Sequence, residues 1–211
     1  GLLWGVQHTQ YEVGLVPQIT VWLLVAMVVA GAVFGLTGKL FADGTHALSG
    51  VMKKHIAYAP LRPLLGGAVI AAVVMWGSFD RYIGLGIPVM VEAFAYPLAP
   101  TDFLGKMLFT IASLGSGFKG GEVTPLFYIG ATLGNALAPL LDVPFALLAA
   151  VGFVAVFAGA ANTPIASTLM AMELFGAEIG VFAALACVMS YVCSGHSGIY
   201  RAQRVAPVSY T

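Results

Sequence analysis

The sequence predicts an all-α, polytopic membrane protein built from short, tilted and broken helices. Its residues are 60% hydrophobic and 9% charged, with a mean hydropathy of +0.95, whereas a soluble domain carries about 25% charged residues. Nine basic and nine acidic residues give a formal net charge of zero, so the composition offers no basic surface for nucleic acid. Glycine and proline interrupt the apolar runs, and several predicted helices are shorter than a membrane span of about 20 residues.

The first two predicted helices flank a strongly basic stretch. An apolar run from about Ile19 to Leu36 is close to the length of about 20 residues that crosses the hydrocarbon layer. A second helix is predicted from about Leu64 to Phe79. Between them, Thr37 to Pro63 is the most basic part of the chain, and the positive-inside rule predicts a cytoplasmic loop there. His46 and His55 fall in this stretch, and neither is assigned a functional role.

The next part of the chain is predicted to alternate short helices and breaks. Arg81 to Pro100 contains three prolines and two glycines, which predict short helical pieces or a re-entrant loop. Asp102 is predicted to cap a helix from about Phe103 to Leu114, which is too short to cross a bilayer alone. A glycine-rich break at residues 115–121 ends this helix.

The following helix is predicted from near Pro125 to about Leu137, because proline is favoured at the start of a helix. Gly130 and Gly134 on this helix predict close approach by a neighbouring helix. The remaining helices are predicted at residues 145–160, from Pro164 to about Phe175, from Glu178 to about Val192 and from Ile199 to Val205. Arg201 and Arg204 predict a cytoplasmic C-terminus.

Three breaks between these helices are candidates for an ion site, at residues 115–125, 161–164 and 194–199. In hydrocarbon, non-helical backbone is tolerated only where protein or a water-filled cavity satisfies its polar groups. A helix that begins there directs unpaired N–H groups and the positive end of its dipole into the break, which favours an anion. The hydroxyls of Thr124 and Tyr200 can also donate hydrogen bonds to an anion.

Glu122 is an acidic residue directly before the predicted helix start. A carboxylate at membrane depth is energetically expensive and by default indicates a functional site with a raised pKa. We predict a proton-coupling role, since a permanently ionised Glu122 would repel a neighbouring anion. The alternative is a helix N-terminal acid that the helix dipole stabilises and that faces water.

Three segments resemble the CLC family of chloride channels and transporters. Lys119-Gly-Gly-Glu-Val-Thr-Pro-Leu-Phe, followed by Ile129-Gly-Ala-Thr-Leu-Gly, is similar to the Gly-Gly-x-Phe-x-Pro anion-site segment, and its Gly-Gly-Glu-Val-Thr-Pro form looks most like the fluoride-exporting branch. Asn162-Thr-Pro-Ile-Ala with Met172-Glu173, and then Gly198-Ile-Tyr200, follow in the family's order. The resemblance extends over about residues 17–205.

The resemblance implies fluoride export coupled to proton exchange, with fluoride or chloride and protons as the transported ions and no cofactor or metal. It also implies two inverted halves per subunit, a homodimer through helices near 164–193, and a multi-pass location in the plasma (inner) membrane among lipids. Residues 1–211 resemble only the C-terminal half, so we expect the N-terminal half, with the family's Gly-x-Glu-Gly segment, to be missing. The residues expected to bind the anion are Gly121, Val123, Thr124 and Tyr200.

Other functions stay open at this point. The same scaffold suits a passive chloride channel of the family, and a fragment of it suits a non-transporting role in which it forms only dimer and scaffold surface. A membrane-embedded hydrolase would need a nucleophile and a base on facing helices, and the candidates form no recognised signature, so we expect no enzyme. Those candidates are Ser116, Ser167, Ser197 and His196.

Overall fold

A computed structural model describes residues 13–14, 16–77, 79–195 and 198–200, and within these residues it contains eight α-helices and no strand. The all-α prediction is therefore confirmed. The helices are α1 (Val21–His55), α2 (Leu61–Trp76), α3 (Ile87–Ala95), α4 (Asp102–Gly115), α5 (Val123–Leu141), α6 (Phe145–Ala161), α7 (Pro164–Phe175) and α8 (Gly180–Ser194). Short 3₁₀ turns lie at Asp80–Tyr82 and Ala177–Ile179. By length and composition, three segments of the described chain can cross a membrane, namely α1, α5 and Ala177–Ser194.

Helix α1 is much longer than the predicted span. The loop predicted from Thr37 to Pro63 is wrong for most of its length, because α1 continues to His55 and only residues 56–60 connect it to α2. The reason is a buried stripe at helical spacing, since Thr37, Phe41 and Thr45 are all buried. The lysines of this stretch occupy the exposed face of the same helix, so local charge density did not indicate a loop.

The core is centred on α6, which packs against α1, α5 and α8. Fourteen of its 17 residues are buried, as expected of a helix that is apolar on every side. Gly130 and Gly134 of α5 meet the backbone of α6, and a Cβ at either position would overlap the carbonyl of Gly152 or Leu148. The predicted close helix approach at these two glycines is confirmed.

The segment between α2 and α4 consists of short pieces, as predicted, and buried polar side chains hold it in place. The end of α3 is bound by Asn135 of α5, a residue to which the sequence assigned no role. Its Nδ2 donates to the carbonyls of Ala93 and Tyr96, each at 2.8 Å, and its Oδ1 accepts from the Leu98 N–H at 2.8 Å. One amide side chain thus satisfies three backbone groups.

Asp102 does not cap α4, so that prediction is wrong. The N-cap is Thr101, which makes no side-chain cap hydrogen bond, and Asp102 is the first helical residue. Its buried carboxylate accepts from Arg81 Nε and from the Tyr82 hydroxyl, each at 3.1 Å, and Arg81 also contacts Glu92 at 3.3 Å. A buried carboxylate requires charged or strong donors, and here donors distant in sequence take the place of the local backbone.

Candidate anion pathway

The three predicted breaks converge in the fold. The Ile199 N–H donates to the carbonyl of Ala160 at 2.9 Å, which fixes the segment after α8 to the end of α6, beside the break at residues 162–163. Ile199 and Tyr200 also line a cavity of about 710 Å³ whose opposite wall is the break between α4 and α5. The structure therefore brings the first and third breaks to one cavity and attaches the third to the second.

We call this space the Tyr200 cavity. Its walls are formed by the C-terminal part of α1, Leu114 of α4, residues 118–123 and Ile199–Tyr200. Gly121, Glu122, Val123 and Tyr200 line it, whereas Thr124 is half-buried on the first turn of α5, one residue beyond the lining. Gly121 has open space around it, since a Cβ added at this position would have no neighbouring atom within 4 Å. Four of the five predicted site residues thus share one cavity.

Glu122 occupies the N-cap position of α5 but makes no side-chain cap hydrogen bond. Its carboxylate therefore does not act as an ordinary helix cap, although a nearby acid is still favoured by the helix dipole. Glu122 lies in the non-helical segment, outside the spanning helix, and desolvation raises the pKa of its carboxyl while the charge of His46 lowers it. The net effect is a raised pKa, so Glu122 takes up a proton at a higher pH than a solvated glutamate does.

The charged groups that line the cavity beside Glu122 are basic. Lys53 of α1 and Lys119 are exposed, and His46 of α1 is half-buried. Positive groups around an opening raise the local anion concentration. His46 was assigned to a loop in the sequence, and its place in the cavity wall follows from the helical continuation of α1. Thr37, Phe41 and Thr45 recur every four residues, and this helical spacing was the sequence signal that α1 continues through His46.

A second cavity, of about 620 Å³, lies on the other side of the glycine-rich break. It is formed by α2, α4 and residues 82–84, and it shares Phe118, Gly120 and Gly121 with the Tyr200 cavity. Lys106 of α4 lines this space and is only 2% exposed, so we call it the Lys106 cavity. Lys106 was not predicted as a site residue from the sequence, although a single lysine inside the apolar run of α4 was a visible signal.

The hydrolase candidates do not form a catalytic pair in the described residues. The Ser116 hydroxyl donates to the carbonyl of Ala112 at 2.6 Å, one turn earlier in the same helix. Ser167 Oγ lies 3.5 Å from Thr163 Oγ1, also one turn away. Ser197 and His196 lie outside the described residues, as do Arg201 and Arg204 and the helix predicted beyond Tyr200.

Comparison with known proteins gives consistent matches. The family described as voltage gated chloride channel matches residues 2–195. The chain is 61% identical over 212 residues to the chloride/fluoride channel protein of Pseudomonas syringae pv. tomato, covering 97% of this chain and 47% of that protein. It is 26% identical over 174 residues to the H(+)/Cl(-) exchange transporter ClcA of Vibrio parahaemolyticus, covering 74% of this chain and 35% of that protein.

The fold has a matching solved structure as well. The crystal structure of a CLC-type fluoride/proton antiporter superposes with a TM-score of 0.89 at 31% sequence identity, covering 95% of this chain and 51% of that chain. The present chain therefore spans about half the length of the relatives that it matches.

Proposed function

The chain belongs to the voltage-gated chloride channel family, and from this membership we propose that it supplies the second half of a fluoride/proton antiport pathway. The observation that carries the proposal is the shared wall of the Tyr200 cavity, where Glu122 and the start of α5 lie together with Tyr200. The names of the relatives support an anion pathway, since they include a chloride/fluoride channel protein and a fluoride/proton antiporter.

In this proposal the anion is held by dipoles and neutral donors. The first N–H groups of α5 and its positive dipole end favour a negative charge in the break. Gly121 and Val123 place backbone at the cavity wall, and the hydroxyls of Thr124 and Tyr200 donate hydrogen bonds. Fluoride holds its water tightly, so short, charge-assisted hydrogen bonds of this kind are needed to replace its hydration shell.

Glu122 carries the proton in this scheme. When Glu122 is ionised, its charge repels an anion beside it, and when it is protonated that repulsion disappears. Proton binding and anion binding in the Tyr200 cavity are therefore linked through one side chain. The neighbouring His46 and Lys119 moderate the charge of the ionised state.

The whole pathway needs more chain than these residues supply. We infer that residues 1–211 correspond to the C-terminal half of a two-part transmembrane domain, and that a first half completes the pathway. We also infer a homodimer in the plasma (inner) membrane with a cytoplasmic C-terminus. Helices α7 and α8 carry exposed apolar residues that a partner subunit would cover in such a dimer, namely Ile165, Leu169, Val188 and Val192.

The test uses this chain produced together with the half of the Pseudomonas syringae relative that it does not match. In proteoliposomes, a fluoride electrode and a pH electrode follow fluoride and proton movement together. We expect an imposed pH gradient to drive fluoride uphill, and Glu122→Gln to abolish that drive. Glu178→Gln, an exposed acid in a 3₁₀ turn, is the matched control and is expected to transport normally.

The same assay separates the alternatives. Fluoride flux that ignores the pH gradient in the unmodified protein contradicts the antiport proposal and favours a passive channel, a reading that the channel name of the Pseudomonas relative supports. Equal movement of chloride and fluoride contradicts the fluoride preference. A folded dimer of this chain that carries no ion, whether or not the first half is present, supports a scaffold role.

A further inference from the structure

We propose that Lys106 is a charged anion contact on the far side of the glycine-rich break, in the wall of the Lys106 cavity. The inference rests on the proposed anion transport and adds a binding position to it. Helix ends and hydroxyls were the anion ligands expected from the sequence, so a buried cation changes the electrostatic design of the pathway.

The Lys106 side chain is buried without a counter-ion among the described residues. Lys106 lies in the middle of α4 and is 2% exposed, and no acidic group among the described residues forms an ion pair with it. Asp102, one turn earlier, is already bound by Arg81 and Tyr82. A buried ammonium group without a paired negative charge is energetically costly, and a methionine would fill the same space more cheaply.

The Lys106 ammonium group has more hydrogen-bond donors than it has acceptors among the described residues. The ammonium group has three N–H donors, and it donates to the carbonyls of Tyr82 at 3.0 Å and Gly84 at 2.6 Å. The face of the Tyr128 ring lies 5.1 Å from Nζ, a cation–π contact that stabilises the ammonium form against the burial that lowers the pKa of Lys106 to about 8. One N–H therefore has no acceptor among the described residues, and the side chain lines a cavity.

The Lys106 cavity adjoins the Tyr200 cavity. Gly120 and Gly121 border both the Lys106 cavity and the Tyr200 cavity, so an anion that passes these glycines moves from one space to the other. The other polar side chains near Lys106, Thr110 and Ser113, donate to carbonyls of their own helix. Lys106 is consequently the charged group in this wall, and its burial protects it from the salt screening that weakens the exposed Lys119.

A purely structural role makes a different prediction. If Lys106 only fixes the turn at residues 82–84 through its two carbonyl bonds, replacing it destabilises the protein without changing how folded protein binds anions. A charged anion contact instead changes the fluoride concentration at which transport is half-saturated. The two roles are separated by measuring that concentration in the folded, reconstituted fraction.

The experiment uses the two-half protein, which is this chain produced together with the unmatched half of the Pseudomonas syringae relative. It is reconstituted in proteoliposomes, and fluoride efflux is followed over a series of internal fluoride concentrations. Lys106→Met is expected to raise the half-saturating concentration about tenfold, the loss typical of one charge-assisted hydrogen bond. Lys106→Arg keeps the charge and is expected to stay close to the unmodified protein. An unchanged half-saturating concentration in Lys106→Met overturns the inference.

A second pair of variants leaves Lys106 and its carbonyl bonds in place, which matters if Lys106→Met fails to assemble. Thr110 lies one turn beyond Lys106 on α4 and lines the same cavity. Thr110→Glu places a carboxylate beside the ammonium group and neutralises it, whereas Thr110→Gln adds nearly the same volume without charge. We expect Thr110→Glu to raise the half-saturating concentration about tenfold over Thr110→Gln, and equal values overturn the inference.

The controls also separate this inference from the proposed function. Absence of fluoride flux in the unmodified two-half protein contradicts the proposed function itself. Normal, proton-coupled flux in the unmodified protein with no effect of Lys106→Met or Thr110→Glu contradicts only the Lys106 inference and leaves the antiport proposal standing.

Discussion

Replacing Asn135 by leucine removes three hydrogen bonds at once, and the structure gives a magnitude for the loss. Leucine has a similar branched shape but a larger volume, so the change leaves no cavity, and some overpacking adds to the loss of the polar contacts. The bond to Ala93 is fully buried, whereas the bonds to Tyr96 and Leu98 are partly buried. An unsatisfied buried carbonyl costs about 1–3 kcal/mol, and each partly buried bond contributes about 0.5–1.5 kcal/mol. The expected loss of folding free energy is therefore about 2–6 kcal/mol.

The matched control is Thr132→Val on the same helix. Thr132 is buried and lies one turn before Asn135, but its hydroxyl donates to the Tyr128 carbonyl of its own helix. That carbonyl keeps its helical hydrogen bond after the substitution, so we expect a cost below about 1.5 kcal/mol. Residues 93–98 lose their anchor only in Asn135→Leu.

The assay is unfolding of the detergent-solubilised two-half protein by titration with sodium dodecyl sulfate, followed by circular dichroism. Free energies extrapolated to zero denaturant are compared between the two variants. A loss in Asn135→Leu no larger than that in Thr132→Val would refute the reasoning, because the three bonds would then contribute nothing beyond a local hydroxyl. Asn135→Asp provides a further check, since it keeps the acceptor for Leu98 but loses both donors.

Three further predictions follow from the geometry. Tyr200→Phe removes one donor from the Tyr200 cavity, and we expect the half-saturating fluoride concentration in the flux assay to rise about tenfold. Gly130→Ala forces a Cβ into a carbonyl of α6, so we expect the folded yield to fall sharply, whereas Gly50→Ala, with open space around it, does not reduce it. Asp102→Ala leaves Arg81 with only Glu92, and because Arg81 is partly exposed, we expect a loss of about 2–3 kcal/mol in the same titration.

The parts of the fold that could be predicted from sequence depend on local chemistry. The break before α5 is encoded by consecutive glycines and by a proline in the first helical turn, so its position needs no knowledge of distant contacts. The close approach of α5 and α6 was likewise visible in Gly130 and Gly134, because only small residues permit it. Most predicted helix ends lie within a few residues of the observed ones for the same reason.

The parts that were missed depend on contacts between distant residues. Local charge density predicted a loop where α1 continues, since the partners of its buried face lie on helices much later in the chain. The carbonyls that bind Lys106 come from residues 22 and 24 positions earlier, and those that bind Asn135 from 39 and 42 positions earlier. A single sequence read by local pattern contains no signal for such pairs.

These distant contacts converge on one segment, and that convergence bears on the site. Residues 80–98 comprise a 3₁₀ turn, the short helix α3 and the loops beside them. Asp102 and Lys106 of α4 bind the first half of this segment, and Asn135 of α5 binds its second half. The segment is therefore fixed to both helices that flank the glycine-rich break. Because α4 and α5 are held to a common partner, the break between them can stay non-helical and still keep a defined geometry, which an ion site on irregular backbone requires.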